Sequence, residues 1–168
     1  MAYMTINLGG VAIGVAIVLV FLVRWWFKEK RRWGALIPFV LSHLYGMLAA
    51  LAALGSVSAL GAAAWATLWA ANVGGYLGLV WGVGGSAPNV NRAHQLALTS
   101  GGYVIVFLLT ALLIALWKFA PRVSNGKLAA GAISGVAVAL SGTVAGVAAV
   151  PLGSSVNLLG AWFTGAFA

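Results

Sequence analysis

The sequence predicts an all-α fold: a polytopic membrane helix bundle of five apolar segments, four or five of them spanning, with the N-terminus outside. Three observations carry this. Charged residues make up 6% of the chain and hydrophobic ones 63%, whereas a soluble domain carries about a quarter charged residues to build its water-facing surface. The apolar runs approach the roughly 20 residues that one bilayer crossing requires. Five of the nine Lys and Arg side chains, together with the single acidic one, fall within Arg24–Trp33, a basic turn flanked by tryptophan.

The first segment, 6–24, is preceded by no charged side chain and followed by those five cations, so it is expected to run from outside to cytoplasm. Within it Gly10 and Gly14 form a small-xxx-small pair. The turn that follows is assigned as a lipid-headgroup and topology anchor. Arg24, Lys28, Lys30, Arg31 and Arg32 meet anionic lipid, and the indoles of Trp25, Trp26 and Trp33 settle at headgroup depth. The second segment, 34–55, carries Pro38 in its first turns, where a missing N–H is tolerated. His43 follows at bilayer depth. An ionisable group there is a candidate functional residue because charging it in hydrocarbon is costly; the ordinary alternative is a neutral imidazole bonded to a neighbouring helix.

The third segment, 57–84, is interrupted by Asn72-Val73-Gly74-Gly75. A broken helix here would expose backbone for a solute, and Asn72 joins His43 as a candidate intramembrane polar site. Alternatively Gly74, Gly78 and Gly82, four residues apart, make a smooth packing face on an intact helix, and packing is the preferred expectation. The polar connection Ser86–Ser100 predicts a turn and a short interfacial helix with Pro88 early in it. A fourth segment, 101–119, leads to Lys118, Arg122 and Lys127 around a turn at Pro121 and Asn125-Gly126.

The fifth segment, 128–150, is the most patterned. Gly131, Gly135, Gly142 and Gly146 place two GxxxG pairs on one stripe, a seam for another helix within the chain or between subunits. The tail 152–168 is apolar but short, and is expected to lie at the interface or dock on a partner. Charge and length disagree over the topology. If 56–85 crosses, five spans leave six basic residues inside and three outside; if it folds back, four spans leave eight and one. Five is the expectation, because an uncharged run of that length more often spans.

Composition excludes much chemistry. Glu29 is the only acidic side chain and there is no cysteine, which removes paired-carboxylate, thiol and serine-histidine-acid catalysis. His43 and His94 differ in expected depth, which disfavours haem held between them. No cofactor, no metal and no nucleic-acid partner is expected, and the +8 charge serves topology and anionic lipid. The chain is expected to be a non-enzymatic structural or pore-forming subunit of an oligomeric assembly in a prokaryotic cytoplasmic membrane. The alternatives are a small channel or carrier for a neutral or anionic solute, and an accessory subunit of a larger membrane complex.

Overall fold

A computed structural model of the chain describes residues 5–55, 58–90, 98–120, 124–139, 141 and 144–167. Among the described residues there are six α-helices and no strand beyond a single bridge between Asn7 and Asn89. Three of the helices, at Leu8–Phe27, Trp33–Ala53 and Ser100–Phe119, are long and apolar enough to cross a membrane.

Helix α1 (Leu8–Phe27) starts where the Asn7 side chain accepts from Gly10 N at 2.7 Å, occupying one of the four N–H groups a helix start leaves unpaired. The basic turn after it is built by local bonds. Trp25 Nε1 donates to Arg32 O at 2.9 Å, and the Arg31 guanidinium lies 3.5 Å over the Trp26 ring. Lys30 and Arg31 take positive φ of 49° and 57°, the strained left-handed region for such side chains. Helix α2 (Trp33–Gly55) returns antiparallel to α1, with Phe21 stacked on Phe39 at 4.6 Å. Pro38 sits in its second turn, so only an early backbone bond is forfeited.

Helix α3 (Ala59–Tyr76) is capped by Ser58, which accepts from Gly61 N at 3.0 Å. It passes through Asn72–Gly75 without a break and then loosens into a π-helical stretch, Leu77–Gly82. Helix α4 (Ser100–Phe119) is capped by Thr99, and α5 (Asn125–Ala139) and α6 (Val144–Phe167) complete the chain. Two expectations are corrected here. The run 128–150 is not one helix: it is divided between α5 and α6, and the tail 152–168 belongs to α6. Pro151 lies inside α6, closer to its start than its end. Pro88 does not open a helix. Residues 88–90 are extended along the N-terminus, with Leu8 N donating to Pro88 O at 2.8 Å and Val90 N to Ile6 O at 2.9 Å.

The two halves of the chain repeat one another. Asn7-x-Gly9-Gly10 recurs as Thr99-x-Gly101-Gly102, an offset of 92 (101 less 9), and Ser42 recurs at the same offset as Ser134. Each of these serines donates to the carbonyl three residues earlier, Ser42 to Phe39 O at 3.0 Å and Ser134 to Gly131 O at 2.9 Å. In α3 and α6 the offset falls to 85 (157 less 72), because α5 is shorter than α2. Ala64, Leu68, Ala71 and Gly75 are buried in α3, and their counterparts Ala149, Gly153, Val156 and Gly160 are buried in α6. The chain is therefore two copies of a three-helix unit, α1–α2–α3 and α4–α5–α6.

The copies meet through α2 and α5, which run parallel. Lys127 meets Ala35, Gly131 meets Phe39 and Ser42, and Gly135 meets His43 and Gly46, the numbers rising together. Both basic turns accordingly lie at one end of the bundle. There Lys127 Nζ is 2.6 Å from Glu29 Oε1 and Arg24 Nε is 3.4 Å from it. Five straight crossings would set these turns at opposite ends. Helix α3 leaves the far end of α2, yet at Asn72 and Gly75 it is already against the first turn of α1, at that same far end. It runs across the end of the bundle and does not return through it.

Candidate functional site

Arg24, Trp26, Lys28, Lys30, Arg31, Arg32 and Trp33 are exposed around the first turn, and the half-buried Trp25 packs on Trp33 with ring centroids 5.3 Å apart. The unanticipated part is Lys127. Its ammonium donates to Ala35 O at 2.7 Å and pairs with Glu29, so the second turn is bolted to the first. Both side chains are largely buried, 12% and 17% exposed, which makes this an ion pair in low dielectric and not a solvated surface contact.

His43 and Asn72 are not brought together. His43 Nδ1 lies 2.7 Å from Ser134 Oγ, and its ring stacks on Phe39 at 6.1 Å. Ser134 is fully buried, so this is a helix-to-helix tie in the middle of the α2–α5 contact. Asn72 works at the far end. Its Oδ1 accepts from Asn7 N at 2.9 Å and its amide donates to Thr5 O at 2.8 Å, while Asn7 Nδ2 donates to Asn72 O at 3.2 Å. It satisfies the start of α1. Asn157 does the same for α4, accepting from Thr99 N at 2.9 Å. This Asn-x-x-Gly clasp, present twice, could have been found from the sequence by aligning Asn72–Gly75 with Asn157–Gly160.

The glycine seams divide into closed and open. At Gly131 and Gly135 an added Cβ would fall on Ser42, Phe39 and His43, including backbone atoms, and at Gly46 on the backbone of Ala132. These glycines are spent holding α5 against α2. Gly9 and Gly75 likewise cross backbone to backbone, as do Gly101 and Gly160. Gly74 touches only the Ile13 side chain, Gly78 has nothing within 4 Å, and Gly82 meets only its own turn at 3.9 Å. Gly146 lies in the first turn of α6, whereas Gly142 and His94 fall outside the described residues.

A feature absent from the sequence expectations is a cleft of about 440 Å3 between α2, α4 and α5. Leu113, Ile114 and Trp117 of α4 form one wall and Leu128, Ala129 and Ala132 of α5 another, with Lys118 at the end near the basic turns. Tyr45 and Thr110 line it farther in. Their hydroxyls lie 2.9 Å apart, and Thr110 Oγ1 donates onward to Val106 O at 2.8 Å. His43 and Asn72 do not line this cleft. No protein-family model, curated protein or solved structure matches the chain.

Proposed function

We propose that the protein is a non-enzymatic structural subunit of a membrane assembly, held by four spans, α1, α2, α4 and α5, with both basic turns in the cytoplasm and the N-terminus outside. The observation that supports it best is the use made of polar groups inside the bundle. Ser42, His43, Tyr45, Thr110 and Ser134 each bond to a neighbouring helix or to a carbonyl of their own helix. A solute path needs such groups free to bond water or solute, and here each is already engaged by protein, Ser42, Tyr45 and Thr110 included where they line the cleft. The lipid-facing and end-on surfaces are apolar and aromatic instead: Trp65, Trp69 and Trp81 on α3 and its π-helical extension, and Trp162 and Phe167 on α6, are exposed. Helix α5, at 15 residues or about 22 Å, is a short span beside the longer α2. The proposed setting is a prokaryotic cytoplasmic membrane, with copies of this chain or other subunits as partners.

The test pairs mass with flux. In a mild, lipid-retaining detergent the protein is expected to run as a discrete assembly larger than the 17.2 kDa chain, and in sealed vesicles it should pass small neutral and anionic solutes no faster than protein-free controls. Flux that disappears in His43→Leu would replace the structural role with a carrier. A monomer without flux would leave no support for either.

A further inference from the structure

We propose that the cleft between α2, α4 and α5 holds one acyl chain of an anionic phospholipid whose phosphate rests on Lys118. The argument begins with the repeat. On the opposite side of the bundle the equivalent space is filled: Phe21, the counterpart of Leu113, stacks on Phe39, and Gly14 lets α1 sit directly on Ser134, Ala137 and Val138 of α5. In the second half Val106 stands where the first has Gly14, and Ala129 and Ala132 stand where it has Ile37 and Val40. A larger, buried residue on α4 and smaller ones on α5 coincide with the gap, which is a difference between two otherwise matched halves.

The chemistry of the gap is ordered along its length. At the inner end the hydroxyls of Tyr45 and Thr110 are engaged with each other and with Val106 O, so they offer a headgroup nothing. The walls are apolar. From Thr110 to Lys118 is eight residues of helix, about 12 Å, and at that outer end stands the Lys118 ammonium, 5.6 Å over the Phe119 ring. The chain holds no carboxylate side chain for Lys118: its only one, Glu29, is engaged by Lys127 and Arg24. An apolar slot ending in an unneutralised ammonium at the level of the basic turns fits an amphipathic anion, and anionic phospholipid is the one a cytoplasmic leaflet supplies.

Native mass spectrometry of the full chain, incubated with phosphatidylglycerol or with phosphatidylcholine of the same acyl chains, tests this. The parent is expected to retain one phosphatidylglycerol in preference to phosphatidylcholine. Ala132→Trp, or the milder Ala129→Leu, fills the slot and should lose the bound lipid. Lys118→Gln should lose the preference between headgroups, and Lys118→Arg should restore it. Each variant is compared at an unfolding temperature matching the parent's. Retention of phosphatidylglycerol by both slot-filled variants, an unchanged preference in Lys118→Gln, or a lipid-free dimer that either filling variant dissociates would overturn the proposal, the last by showing a second copy in the slot. The inference rests on the structural role proposed above, and the two fail separately: flux in vesicles would refute that role whether or not the slot keeps its lipid.

Discussion

Glu29 carries more of the architecture than its solitary position suggests. In a chain with nine basic side chains it joins the two turns, accepting from Lys127 on one side and Arg24 on the other. Because Lys127 also donates to Ala35 O, removing the carboxylate leaves a mostly buried ammonium held, among the described residues, by that carbonyl. Hydrogen bonds to charged groups contribute about 1.5–3 kcal/mol, and Glu29→Gln is expected to lose about 2 kcal/mol in denaturant unfolding in micelles. Lys127→Met should lose a similar amount, and the double variant clearly less than the sum, since the two positions share one interaction. Additive losses would mean the pair contributes nothing as a pair. The basic cluster was legible in the sequence because charge is so rare here. That Glu29 reaches the other turn was not, because its cationic neighbours in the chain already supplied an ordinary partner.

At the level of helices, the small-residue faces decide what packs where. Gly75 lies on Gly9 and Gly160 on Gly101, each with backbone atoms where a Cβ would go. Overpacking such contacts costs typically about 1–3 kcal/mol, and Gly75→Ala and Gly160→Ala are expected to lose stability in that range and by similar amounts, as repeats should. Gly78→Ala meets open space and should be neutral or gain up to about 1 kcal/mol from helix propensity; thermal unfolding of the three variants in one detergent separates these cases. Spacing marks Gly131 and Gly135 as candidates for a seam, but spacing alone does not say against which helix. The contact with α2 depends on Ser42, His43 and Gly46, residues scattered through an otherwise apolar run. The repeat itself was hidden for a physical reason as well. Lipid-facing positions need only be apolar, so identity survives mainly at caps and crossings such as Gly9/Gly101, Asn72/Asn157 and Gly75/Gly160, and the change of offset from 92 to 85 disperses even those.

For the whole molecule the repeat bears on the conflict between charge and length, and favours the proposed four spans. An uncharged run such as 57–84 is long enough to cross, and judged by length alone it would. What prevents it is Asn72, which is tied to the start of α1 while α3 has just left the end of α2. Two parallel copies of a three-helix unit are compatible with a membrane only if each third helix lies along one surface; otherwise α4 would begin on the wrong side. On the proposed four-span topology α1 and α4 both descend toward the basic turns, so the sequence counts eight basic residues on the inner side and one on the outer. That is the eight-to-one distribution that charge bias favours. The chain has no cysteine, so single cysteines report cleanly from sealed, right-side-out vesicles. Lys30→Cys and Ser124→Cys are expected to resist a membrane-impermeant maleimide until the vesicles are opened, while Asn89→Cys reacts at once. Five crossings predict a different pattern, with Lys30→Cys and Asn89→Cys protected together and Ser124→Cys exposed. Labelling of that kind would mean that the Lys127–Glu29 pair does not form in the membrane and that the parallel packing of α2 and α5 must be abandoned with it.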